Sequence, residues 1–144
     1  MENLFTNILE SHSNRLIKAK NISALISQKN SYSWVGLYDV TEEHIKMIAC
    51  TGADPAFPVF PRTKGLNGRA VLNKSTVVVN DVRSDPDYLT TFGKTQSEII
   101  IPVFSRTHDV VGTIDVESHL KNTFRKEDIE FLEDCAEKIK SLWF

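Results

Sequence analysis

Cysteine is scarce in this chain. Its 144 residues include two, Cys50 and Cys135, with no Cys-x-x-Cys spacing and no histidine cluster beside them. That argues against a zinc site or a disulfide framework. The plain reading is two buried thiols that serve as small hydrophobes. Basic charge is not in excess either: 17 Lys and Arg stand against 19 Asp and Glu, for a net charge of −2. No positive field invites nucleic acid. No apolar run approaches the ~20 residues that cross a bilayer. The opening MENLFTNILE puts acidic and polar residues where a secretory leader needs a basic and then an apolar segment. The expectation is a cytoplasmic protein with neither a nucleic-acid nor a membrane partner. There is no internal repeat and no low-complexity tract.

What is present suits one folded domain. The composition is 41% hydrophobic and 25% charged, enough for a sizeable core at this length. Residues 2–28 place Leu4, Phe5, Ile8, Leu9, Leu16, Ile17, Ile22, Leu25 and Ile26 at helical spacing, with His12-Ser13-Asn14 as the weak point. SYSWVGLYDV (31–40) switches to the two-residue period of a strand, and HIKMIAC (44–50) reads as its hairpin return. TGADPAFPVFP reads as irregular backbone, yet Phe57, Val59 and Phe60 in it need something to cover. KGLNGRAVLNKS (64–75) reads as a glycine turn into a short helix, and 75–82 as a strand. Residues 83–96 are turn-rich, with a short helix expected from Asp85-Pro86. Residues 97–107 and 109–119 read as strands around a tight turn. Residues 124–143 form an amphipathic helix with Ile129, Leu132, Cys135, Ala136, Ile139, Leu142 and Trp143 on one stripe. Strands that arrive as hairpins predict an α+β domain with a mostly antiparallel sheet. The terminal helices would cover one face, and the excursions at 51–74 and 83–96 the other.

VVGTIDVESH (110–119) carries the sharpest functional signal. Asp115 and Glu117 are two apart on a strand, so they share a face, opposite Ile114 and Val116. That segment alone is explained by a solvated strand face. Three further features point to a pocket. Trp34 and Tyr38 share a strand face, Glu98 adjoins the apolar Ile99-Ile100-Ile101 run, and the apolar loop residues need a surface to cover. A pocket floored by Trp34, Tyr38, Asp115 and Glu117, edged by Glu98, satisfies all three. Its negative charges call for a cationic partner, which an aromatic face also favours. The expected ligand is therefore a small amine or amino acid. KGLNGRA offers backbone N–H groups at a helix start to an anion, although a plain turn explains it equally well. It matches neither the phosphate-loop nor the dinucleotide pattern, and the reading calls for no cofactor and no metal. His12, His44, His108 and His119 are scattered and read as surface residues.

Taken in order, W-x-G-x-Y at 34–38, K-G-x-x-G-x-A at 64–70, S-E-x-x-x-P-V at 97–103, V-x-G-x-x-D-x-x-S at 110–118 and F-x-x-E-D at 124–128 resemble a GAF domain across nearly the whole chain, 1–144. The resemblance implies a central antiparallel sheet, N- and C-terminal helices on one face and a ligand pocket on the other. Among GAF domains the chain is similar to the free methionine-(R)-sulfoxide reductases. By that likeness Trp34, Tyr38, Glu98, Asp115 and Glu117 hold an amino acid, with Glu117 standing where aspartate is usual. The reductases' cysteine between the turn glycines is here Asn67, so Asn67 joins the candidate ligand-binding set. Their second cysteine falls in a stretch that here reads TTFGKTQ. Thiol chemistry needs an accessible thiolate and a resolving thiol, and no catalytic residue is assigned. The resemblance implies a signalling sensor module that homodimerises through its terminal helices and passes its signal to a separate output protein. SLWF would add an exposed Trp143 and Phe144. A thiol reductase and a ligand-free dimerisation module are the alternatives. LKNTFRKED echoes the cyclic-nucleotide-binding pattern out of register, and no cysteine is placed to attach a bilin.

Overall fold

The computed structural model describes residues 2–29, 32–90 and 92–144. The elements in chain order are α1 (Glu2–Glu10), α2 (Arg15–Ser27), β1 (Trp34–Val40), β2 (His44–Cys50), β3 (Val59–Pro61), α3 (Gly65–Asn73), β4 (Val77–Val79), β5 (Ser97–Phe104), β6 (Val110–Ser118) and α4 (Lys126–Ile139). The strands form one six-stranded sheet in the order β3-β2-β1-β6-β5-β4. Every neighbouring pair is antiparallel. The α+β architecture is as expected, and its edges are short: β3 and β4 have three residues each.

Several expected boundaries move. The N-terminal helix is two helices, because Asn14 takes an extended conformation and its side chain accepts a hydrogen bond from the Ile17 N–H at 2.9 Å. That is an N-cap, which starts a new helix rather than continuing the old one. His12 thus lies between helices, and His44 opens β2. The proline-rich excursion contains β3, which pairs with His44–Lys46 of β2. Strand β4 is shorter than the apolar run predicted. The short helix expected at Asp85-Pro86 instead forms upstream, as a 3-10 turn at Val82–Ser84 capped by the Asp81 side chain. Ser31, first residue of the expected β1, and Thr91, in the turn-rich stretch, lie outside the described residues.

Alternation along the strands separates two cores. Val35 and Leu37 of β1, Ile99, Ile101 and Val103 of β5, and Ile114 and Val116 of β6 face the helices, against Phe5, Ile22, Ile26, Leu132, Cys135 and Ile139. On the other face Trp34, Tyr38, Ile45 and Phe60 cluster with Cys50 and Val71, and Ile100 packs under Leu66 and Ala70 of α3. The start of α4 is tied to the chain before β1: Asp128 accepts hydrogen bonds from the Tyr32 hydroxyl at 2.6 Å and the Arg125 N–H at 3.0 Å. Trp143 corrects the expectation of an exposed terminal patch. Its indole N–H donates to the Tyr38 carbonyl at 3.1 Å, and its ring occupies the space a side chain at Gly112 would fill. Phe144 is about half exposed. Among the described residues no helix is long and apolar enough to cross a membrane.

Candidate functional site

The carboxylates singled out in the sequence are buried. Glu98 is 4% exposed, Asp115 3% and Glu117 1%. Strand register brings them together: Glu98 pairs with Glu117 across β5 and β6, and Asp115 is two residues along on the same face. One oxygen from each of Glu98, Asp115 and Glu117 lies within 4.8 Å of the others. Across β1, Trp34 pairs with Glu117, Gly36 with Asp115 and Tyr38 with Thr113. Gly36 has a specific reason to be glycine. The Trp34 ring lies over it, and a Cβ there would meet the indole at 2.3 Å.

Asn67 reaches the group from the first turn of α3. Its amide N–H donates to Asp115 Oδ2 at 2.9 Å, and its Oδ1 accepts from the Thr113 hydroxyl at 2.6 Å. The Thr95 hydroxyl donates to Glu117 Oε1. Asp115 Oδ1, also buried, receives no N–H or hydroxyl hydrogen bond among the described residues. The first-turn N–H groups of α3, at Gly65 to Asn67, have no intrahelical acceptor and point their partial positive charge out of the helix start.

A cavity of about 30 Å³ opens here, lined by Tyr38, Asn67, Glu98 and Asp115 below, with Pro55, Phe57, Phe60 and Leu89 among the residues that close it. That is room for about two water molecules. Trp34 and Glu117 lie beside this cavity rather than on its lining. Trp34 donates from its indole N–H to the Ala53 carbonyl at 3.1 Å and packs against Phe92. The loop apolar residues divide: Phe60 is buried over Tyr38, while Phe57 and Val59 stay about half exposed. On the far side Arg69 of α3 bonds Asp85 and Asp87, which fastens the segment after the 3-10 turn to the helix.

Electrostatics at the site are severe. Two ionised carboxylates within 4.8 Å of each other repel by at least about 3.5 kcal/mol at an effective dielectric constant near 20. Among the described residues, no Lys, Arg or His forms an ion pair with Glu98 or Asp115. Burial, then the Asp115 and Glu117 charges, hold Glu98 well above the usual carboxylate range. Burial raises Asp115 too, opposed by hydrogen bonds from Glu98 and Asn67. Tyr38 is also pushed up by burial and by the surrounding carboxylates.

The thiols sit elsewhere. Cys135 lies in the helix-side core, where burial raises it to about 12. Cys50 is raised by burial and by Asp54, and neither cysteine lines the cavity. Sequence reasoning missed Thr113 and Thr95. Thr113 was reachable, since it precedes Asp115 by two on the same strand face. Thr95 gave no signal, because it comes from a turn-rich stretch that has no period.

Together these observations define an α+β domain with a buried acidic pocket on the loop-covered face of its sheet. Residues 22–141 match the family model described as GAF domain, and the chain belongs to the GAF domain family. It is 27% identical over 134 residues to GAF domain-containing protein A of Dictyostelium discoideum, spanning 91% of this chain and 84% of that protein. It is 31% identical over 109 residues to the free methionine-R-sulfoxide reductase of Saccharomyces cerevisiae, spanning 74% of this chain and 61% of that protein. The structure of the type II free methionine-R-sulfoxide reductase from Thermoplasma acidophilum superposes with a TM-score of 0.85 at 32% identity, over 89% of this chain and 91% of that one.

Proposed function

We propose that this GAF domain is a sensor for a small amine or amino acid, bound through its ammonium group by Glu98, Asp115 and Glu117. The observation that carries this reading is the buried carboxylate cluster, with an Asp115 oxygen left without a donor. Buried anionic groups need a partner, and an ammonium brings several N–H donors along with its charge. Tyr38 supplies an aromatic wall. The start of α3 offers N–H groups to a carboxylate on the same ligand, which favours a zwitterion. Similarity to reductases whose names specify a free amino-acid substrate supports the same class. The placement of Cys50 and Cys135 away from the cavity favours binding over thiol redox chemistry. An amino acid is larger than a cavity of about 30 Å³, so the segments carrying Phe57 and Leu89 part to admit it.

The test is thermal unfolding against amino acids, methionine and its sulfoxide included, with polyamines and cyclic nucleotides as contrasts. A ligand at ~100 times its dissociation constant stabilises by about 2.7 kcal/mol, several degrees for a domain of this size. The shift is expected with a zwitterion or amine and is lost in Asp115→Ala. A flat panel rejects the reading. Dimerisation belongs to the same proposal: Leu4, Leu16 and Ile17 leave apolar surface on α1 and α2, and a strictly monomeric mass by light scattering removes that part.

A further inference from the structure

The site poses a problem before any ligand arrives. It gathers the carboxyl groups of Glu98, Asp115 and Glu117 within 4.8 Å, each of them buried. Among the described residues, donors from the protein meet only part of the needs of Asp115. Asn67 serves Asp115 Oδ2 and Thr95 serves Glu117 Oε1. Asp115 Oδ1 is served by neither, and the side chain beside Asp115 on β5 is the Glu98 carboxyl. A carboxylate offers no hydrogen to such a neighbour, whereas a carboxylic acid does.

Among the described residues, the elements around this pair supply no compensating cation. Strand β1 contributes Tyr38, and β2 contributes Cys50 with Asp54 just beyond it. Strand β6 adds Glu117, a further negative group. Helix α3 contributes the neutral Asn67, while its Arg69 is turned to Asp85 and Asp87. Thr95 is uncharged. We propose that the unoccupied site holds a proton between Glu98 and Asp115, with the Glu98 hydroxyl donating to Asp115 Oδ1, and that this proton occupies the place of the ligand's positive charge. A cationic ligand then takes the site by exchange. The ammonium brings one positive charge, the shared proton leaves to water, and the charge of the pocket is unchanged. The exchange half rests on the ligand reading above; the shared proton does not.

Exchange of this kind makes affinity depend on pH even for a ligand whose own charge is constant. Binding strengthens about tenfold per pH unit while one proton must be displaced, and levels off once the pair is already ionised. The site is thereby more receptive in alkaline than in acidic surroundings.

The experiment is a carboxyl carbon-13 NMR titration of the free protein, with Glu98→Gln to assign the resonance. The expected result is a Glu98 carboxyl still protonated at pH 7. Glu98 and Asp115 both ionised at that pH overturns the proposal. Should Glu98→Gln not fold, Asp115→Asn serves instead: removing the neighbouring charge lets Glu98 ionise at lower pH, and an unmoved Glu98 titration overturns the shared proton. L-methionine-R-sulfoxide is then added in two buffers of different ionisation enthalpy, with calorimetric readout. About one proton released per site is expected, and binding without release overturns the exchange. If this probe does not bind, the amino-acid reading loses its support, while the titration of the free protein still decides the shared proton.

Discussion

The two faces of the sheet are written in the same strands yet obey different rules. Along β6, Ile114 and Val116 enter an apolar core under α2 and α4, while Thr113, Asp115 and Glu117 turn to the opposite side and are just as buried. The helix face loses little when one apolar residue replaces another of equal volume. The loop face depends on particular atoms: an amide that bridges Thr113 and Asp115, a hydroxyl on Glu117, a glycine that lets an indole lie flat. One face sets stability, and the other spends some of it to hold a polar site.

The largest way to test that division is Ile114→Ala, which opens a cavity in the helix-side core. It should cost about 3 kcal/mol in urea unfolding and leave the arrangement of the acidic group intact. Next is Asn67→Ala on the other face. It strands the Thr113 hydroxyl and Asp115 Oδ2, a loss of about 2 kcal/mol, and an unchanged midpoint would show that the amide bridge carries no weight.

An effect of opposite sign, set by pH, is expected from Glu98→Gln. The folded state holds Glu98 above its ordinary range, so it binds more protons there than the unfolded chain does. This contribution is fully present below the unfolded value and is lost as pH rises through the folded one. The native protein should therefore weaken toward alkaline pH. The variant should match it near pH 4 and exceed it at pH 8, which parallel denaturation series at the two pH values would reveal. The smallest change belongs to Arg69→Ala. Its partners Asp85 and Asp87 differ in exposure, at 14% and 55%, and the partly exposed pairs are worth about 0.5–1 kcal/mol. The readout is faster amide exchange at Asp87 to Thr90 with little change elsewhere.

Strand periodicity made much of this legible before any coordinates. It placed Trp34 with Tyr38, and Asp115 with Glu117, on faces opposite Leu37 and Ile114, and the structure keeps that assignment. Motif order pointed to the GAF domain family, which the family match shows. What escaped was governed by local chemistry or by contacts far apart in the chain. The Asn14 cap split the first helix because one side-chain hydrogen bond outweighed a continuous apolar period. Strand β3 was hidden among prolines and forms because β2 offers it an edge. Trp143 looked exposed because nothing in the sequence says that the groove at Gly112 lies 31 residues upstream of it in the chain, waiting to be filled. Thr95 reaches Glu117 from a segment with no regular period at all.

The two short edge strands bear on how the protein behaves when concentrated. An edge exposes unpaired N–H and C=O groups that another chain can extend into a growing ribbon. Here one edge is Val59–Pro61, which ends in an imide without an N–H and directly follows Pro58. The other is a three-residue strand, and beyond it the bare stretch of β5 is interrupted by Pro102. Neither offers the long, flat, donor-complete template that fibril growth requires. The same prolines that make the loops look irregular in sequence also make this sheet a poor seed for aggregation.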